Sequence, residues 1–275
     1  MKTQFLQVPD GTIAYEETGH GPLLVCAPSM GDLRGEYRFL APLLAGQGFR
    51  VASLDVRGHG QSSVRWPDYS VAGVGADMLA LARALDLNPA VLVGTSMAGG
   101  AAVWAAVENP ERVRGIVLID PFARNVDTNP LMALLFRVLF SRPWGAAAWQ
   151  RYYRTLYPTR KPDDFASYSA ALRANLTERG RLEALQAMLA ASKAASEERL
   201  DRVSVPAMVL MGEKDPDFKD PAGEARLVAG RIHARVALLP NAGHYPHAEF
   251  PEETASQILS FLQTITEMTG AGHAA

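Results

Sequence analysis

The chain has one cysteine in 275 residues, Cys26, so no disulfide can close within it and a disulfide-stapled scaffold is excluded. Cys26 sits in the apolar run Leu23-Leu24-Val25-Cys26-Ala27 and reads as a packed core residue. Charge of either sign is not in excess. The formal net charge is −2, which gives no electrostatic reason to expect nucleic acid or an anionic membrane as partner. There is no H-E-x-x-H motif, no cysteine pair and no carboxylate cluster at metal-ligand spacing, so no metal is expected. A phosphate-cradling loop is missing too, because Gly99-Gly100 follow a serine and lack the lysine that such a loop needs. No cofactor is expected. No apolar run reaches the length of a membrane span, and Met1-Lys2-Thr3-Gln4-Phe5 lacks the apolar stretch of a secretory leader. The expectation is a soluble cytoplasmic protein, with monomer and homodimer both open. Repeats and low-complexity tracts are absent.

What is present is a 48% hydrophobic chain, long enough for one large α/β domain or two small ones. Phe5 to Val8 and Thr12 to Glu17 flank the turn tripeptide Pro9-Asp10-Gly11, which predicts a β-hairpin. Buried strands are predicted at Leu23–Ala27, Arg50–Leu54, Ala90–Val93, Val113–Ile119, Ala207–Met211 and Ala234–Leu239. Helical spacing fills the intervals, over Tyr37 to Gly48, Val71 to Leu85, 221–230 and Pro251 to about Thr266. Strands alternating with helices imply parallel pairing through right-handed crossovers. From Arg124 to Leu200 the rhythm changes to helix after helix, with breaks at Asn129-Pro130, Arg142-Pro143, Pro158 and Pro162, and a helical stretch from Leu172 to Ala195. The organisation expected is a core of 1–123 and 201–275, with residues 124–200 a helical cap on the sheet's carboxyl edge. The small, polar tail from Thr269 to Ala275 is expected to be peripheral.

The stretch Ala90 to Gly100 holds the strongest signal. An apolar strand ends at Gly94, Thr95 and Ser96 follow, and an alanine-rich helix starts at Met97-Ala98. A serine on so tight a strand-to-helix turn has its hydroxyl pushed out at the top of the sheet, and small neighbours are needed where the two backbones nearly touch. Gly94 and Ala98 meet that need, and Gly99 and Gly100 are expected to let the helix lie close to the strand. The plainer alternative is a serine that only caps a helix. A serine nucleophile also needs a base and an acid to orient it, and these gather beyond the carboxyl ends of the strands. The loops after the last two strands, Met211 to Asp217 and Pro240 to His247, offer Asp and His in the order Ser, Asp, His.

Four segments together resemble the α/β-hydrolase superfamily: Gly94-Thr95-Ser96-Met97-Ala98-Gly99, Asp55 to Ser62, Gly212-Glu213-Lys214-Asp215-Pro216 and Ala242-Gly243-His244. The likeness covers nearly the whole chain outside the cap. It implies an α/β fold with a mostly parallel central sheet, helices on both faces and an all-helical cap. It also implies Ser96 as nucleophile, His244 as general base and then acid, and Asp215 as the orienting carboxylate. Asp217, Glu213 and Asp120 are rivals for the acid. His247 is read as a helix-start residue, His59, Asp55 and Arg57 as scaffold, and His20 and His233 as turn or surface residues. Family members usually carry His-Gly after the first buried strand. Here Pro28-Ser29 stand in those places, which puts the oxyanion N–H groups at Met30 and Met97, or at Gly31 if the alignment slips by one. The two methionine side chains would floor the site. Arg34 and Arg38 read as solvated surface charge rather than substrate ligands. Of the cap aromatics, Trp144, Trp149 and Tyr153 are expected to line a substrate pocket with Tyr245. The function implied is hydrolysis of a small-molecule carboxylic ester through an acyl-enzyme. Lactone opening, C–C bond hydrolysis and cofactor-free perhydrolysis use the same residues, and a non-catalytic small-molecule receptor is the alternative of another class.

Overall fold

The computed structural model describes residues 2–86, 88–125 and 130–271. Its strands form where apolar residues run without helical spacing: β1 (Gln4–Val8), β2 (Gly11–Thr18), β3 (Leu23–Ala27), β4 (Arg50–Leu54), β5 (Ala90–Thr95), β6 (Val113–Ile119), β7 (Ala207–Gly212) and β8 (Arg235–Leu239). They make one sheet in the order β1-β2-β4-β3-β5-β6-β7-β8. β1 and β2 form the expected hairpin and β2 lies antiparallel to β4. Every other pairing is parallel. Successive side chains of a strand point to opposite faces, and each face has its own core. Val25, Leu92, Leu118 and Val209 pack on one side, and Leu24, Val93, Val117 and Met208 on the other.

Helices cover both faces. They are α1 (Leu40–Ala45), α2 (Val71–Leu85), α3 (Met97–Glu108), α4 (Pro130–Leu139), α5 (Gly145–Thr155), α6 (Phe165–Thr177), α7 (Arg181–Ala190), α8 (Ala194–Glu197), α9 (Pro221–Ile232), α10 (Pro246–Glu249) and α11 (Pro251–Ala271). Local chemistry sets their starts. Ser70 accepts the Gly73 N–H ahead of α2. Asp220 accepts the Gly223 N–H ahead of α9, whose first residue is a proline that needs no partner there. Between β6 and β7 the described chain runs through α4 to α8 without a strand. No described helix is long and apolar enough to cross a membrane.

Three boundaries differ from the periodicity. The stretch Leu172 to Ala195 is not one helix but the end of α6, α7 and the start of α8, because Gly180 takes φ +89 and turns the chain between the first two. The spacing read over Tyr37 to Gly48 is a short 3₁₀ turn at Arg34–Tyr37 followed by α1. The last helix passes Thr266 and takes in the start of the tail. Asn129 and residues 272–275 lie outside the described residues.

The carboxyl ends of β3, β5, β6, β7 and β8 share one edge of the sheet, and the turn from β5 into α3 lies at its centre. A Cβ on Gly94 would stand 2.1 Å from the Ala98 carbonyl oxygen, so the strand and helix can approach only if position 94 has no side chain. Gly99 and Gly100 serve a further purpose. Cβ atoms there would meet Pro121 Cβ at 2.7 Å and the Phe122 oxygen at 2.9 Å, so these glycines admit the chain leaving β6. Replacing Gly94 with alanine is expected to cost at least about 3 kcal/mol, read as a lowered midpoint in denaturant unfolding, while Gly230→Ala, where a Cβ meets nothing within 4 Å, leaves the midpoint within about 0.5 kcal/mol or raises it.

Candidate active site

Ser96 takes φ 57 and ψ −123 at the head of α3, a backbone state that a residue with a Cβ holds only when its surroundings enforce it. They do so through the main chain. Its N–H donates to Ile119 O at 2.8 Å, and its carbonyl accepts from Gly99 N–H and Phe122 N–H, both at 3.0 Å. The side chain makes no cap bond. The serine is therefore not the simple helix cap that the sequence also allowed. It is 4% exposed and lines a cavity together with His244.

His244 and Asp215 come together from the loops after β8 and β7. His244 Nδ1 stands 2.6 Å from Asp215 Oδ2 with both side chains buried. The loops are tied to each other: Lys214 N–H donates to Ala242 O, and a Cβ on Gly212 would reach Gly243 O at 2.1 Å. Of the rival acids, Asp217 lies farther off, 4.0 Å from Nδ1, and its carboxylate accepts the Tyr152 hydroxyl at 2.6 and 2.7 Å. Asp120 is buried beside Asp215 and accepts the Gly212 N–H at 2.9 Å. Burial disfavours a charge on the imidazole, but the adjoining Asp215 carboxylate outweighs it and Asp217 adds to the pull, so the His244 pKa is raised to about 9.

After β3, the loop Pro28–Gly31 turns below the cavity. Ser29 N–H donates to Glu36 Oε2 at 2.8 Å and Gly31 N–H to His59 Nε2 at 3.1 Å. Pro28 has no N–H. Met30 N–H and the helix-opening Met97 N–H have no partner among the described residues, so both are available to an oxyanion. The one-residue slip that would make Gly31 the donor does not fit, because its N–H is already engaged. His59 Nδ1 faces Arg57 O at 2.9 Å, and burial pushes the ring down to about 4. The neutral ring thus donates from Nδ1 and accepts at Nε2. Glu36 also meets His247 Nε2 at 3.0 Å, so His247, in the first turn of α10 as expected, also braces this loop.

The cavity measures about 1010 Å³. Its floor is Ser29, Met30, Ser96, Phe122 and His244. Its roof comes from α4 and the turn after it, α5 and α7, including Phe140, Trp149, Tyr152 and Leu189.

The sequence matches the family model for the alpha/beta hydrolase fold over residues 22–251. The chain belongs to the α/β-hydrolase family. Among curated proteins it is 28% identical to the 2-(acetamidomethylene)succinate hydrolase of Mesorhizobium japonicum, over 91% of each chain. It is 25% identical to 3-oxoadipate enol-lactonase 1 of Acinetobacter baylyi, over 90% of each. In fold it is similar to a thermophilic esterase from Thermogutta terrifontis, with a TM-score of 0.79 at 23% identity over 96% of this chain and 99% of the other.

Within this α/β-hydrolase several expected residues stand elsewhere than anticipated. Trp149 and Tyr245 line the cavity, but Trp144 and Tyr153 do not. Trp144 is 52% exposed with its Nε1–H on Val138 O. Tyr153 is packed among Tyr157, Phe165 and Tyr245 with its hydroxyl on that of Tyr157, because it points from α5 toward α6 rather than toward the sheet edge. The Met97 side chain is buried in the main core, so Met30 alone of the two methionines faces the cavity. Arg34 is paired with Asp55 and Glu16 and Arg38 with Asp164, so neither is a solvated charge. Phe122, tilted against His244 at 6.0 Å, and Tyr152 are lining residues that no motif marks, although Phe122 follows the end of β6 by three residues.

A titration of His244 followed by NMR is expected to have its midpoint near 9. Asp217→Asn removes one of the anions favouring the protonated ring and so lowers the midpoint by about one unit.

Proposed function

We propose that this α/β-hydrolase cleaves carboxylic esters through an acyl-enzyme on Ser96. The observation that carries the reading is the 2.6 Å contact from His244 Nδ1 to Asp215 Oδ2, with the same imidazole and Ser96 opening into one cavity. Neutral His244 takes the Ser96 proton as Oγ attacks the carbonyl carbon, and Asp215 fixes the tautomer and stabilises the imidazolium that results. The oxyanion is held by Met30 and Met97 N–H groups, already oriented before substrate arrives. His244 then protonates the leaving alkoxide, activates a water, and returns the proton to Ser96 as the acid leaves. Only the neutral ring can begin the cycle, so activity rises with pH up to the His244 midpoint and is level above it.

The segment 124–200 acts in this reading as a cap. The apolar lining, with Phe140, Trp149 and Leu189 over the serine, suits an ester bearing a bulky apolar group. Lactone opening is the second reading, since it uses the same attack and a relative is named an enol-lactonase.

Ser96→Ala is expected to lower kcat on p-nitrophenyl esters by roughly 10⁴-fold, and a fluorophosphonate probe is expected to form an adduct at Ser96 of the folded protein. Retained esterase activity in Ser96→Ala rules the mechanism out. Absence of the adduct favours a small-molecule receptor on this fold.

A further inference from the structure

Asp120 ends β6 in a position that no step above uses. It is fully buried and takes φ 43, so its placement is enforced as firmly as that of Ser96. Its N–H donates to Leu210 O at 2.8 Å and its Oδ1 accepts the Gly212 N–H at 2.9 Å. Both ends of the residue are thus pinned to β7, the strand whose following loop carries Asp215. Oδ2 has no ordinary acceptor partnership among the described residues. It lies in a closed group with Asp215 and His244, their nearest polar atoms all within 4.8 Å of one another.

An ionised carboxylate with an idle oxygen in a buried site, beside a second carboxylate, is an arrangement that proteins avoid. A cation between the groups would relieve it, but His244 Nδ1 and Asp215 Oδ2 are already at hydrogen-bond distance, which leaves an ion no place between them. A proton relieves it equally well. We propose that Asp120 is a neutral carboxylic acid that donates its Oδ2–H to the Asp215 carboxylate, a positioning residue that holds Asp215 and limits its pull on the His244 proton. The groups around the pair agree. Asp215 and, more distantly, Glu249 on α10 face Asp120 with negative charge, while the Gly212 N–H and the nearby His244 ring, when protonated, favour its ionisation; burial and Asp215 together put its pKa well above the usual carboxylate range. His244 is faced by Asp215, Asp217 and, farther away, Glu36, and the Tyr152 hydroxyl occupies Asp217. The Asp120 proton stays where it is throughout the proposed cycle. What changes is the electron density that Asp215 can offer to Nδ1–H as the imidazole becomes charged.

The positioning role rests on reading Asp215 and His244 as acid and base, but its test needs no substrate, so its failure is distinct from failure of the esterase reading. In wild-type protein the ¹³Cγ resonance of Asp120 is expected to hold the protonated-acid position between about pH 5 and 8. A carboxylate shift across that range overturns the proposal. NMR titration of His244 supplies the second readout. Asp120→Asn keeps a donor toward Asp215 and an acceptor for Gly212 N–H, so the His244 midpoint is expected to stay within about 0.3 unit. Asp120→Ala removes the donor and is expected to raise it by about half a unit or more. A fall of one unit or more in Asp120→Asn means that a negative charge was removed, and an unmoved midpoint in Asp120→Ala means that no donor was lost. Either result overturns the proposal, and the wild-type resonance decides it if the variants do not fold.

Discussion

The site depends first on a backbone constraint. A serine with φ 57 exists here because three main-chain hydrogen bonds tie it to β6, to α3 and to the chain beyond β6. The strand and helix that flank it close to contact only because Gly94 has no side chain. Those bonds set where the hydroxyl emerges, and they leave the first N–H of α3 without an intrahelical partner beside it. A single turn therefore places both the Ser96 side chain at the cavity and an unengaged N–H beside it.

The second constraint is electrostatic. Asp215, Asp217 and Asp120 crowd one imidazole at the sheet's carboxyl edge, and Glu36 lies behind the neighbouring loop. Each is accommodated by a different partner: Asp215 by the ring, Asp217 by Tyr152, Asp120 by the Gly212 N–H, Glu36 by Ser29 and His247. The result is a strongly basic histidine next to a loop fixed by a histidine, His59, that burial keeps neutral. Two histidines in one protein take opposite protonation behaviour because carboxylates outweigh burial at His244 whereas burial prevails at His59.

The helices between β6 and β7 belong to this arrangement rather than lying loosely upon it. From α5, Trp149 Nε1–H reaches Gly31 O and the Tyr152 hydroxyl reaches Asp217. At the end of the same helix Leu156 O accepts the His244 N–H. One helix thus touches the loops that follow β3, β7 and β8. Arg38 with Asp164, and Tyr168 with Asp32, join these helices to the chain after β3 nearby. A displacement of α5 would alter the loops after β3, β7 and β8 together.

The sequence alone determined the strands, the order of the chemistry along the chain and the reading of Ser96, Asp215 and His244. Each of these is local: a β-branched run, a glycine two residues before a serine, a Gly-His pair after a strand. The tertiary structure decided what depends on which way a side chain points and what lies against it. Periodicity puts Tyr152 and Tyr153 on α5 alike, yet one lines the cavity and the other packs on α6, because neighbouring residues on a helix project about 100° apart. Nothing in the order of residues brings Gly31 to His59, Glu36 to His247 or Asp120 to Asp215. Those contacts arise when parallel strands far apart in the chain end on the same edge, and they settle which amides remain free and which carboxylates must share space.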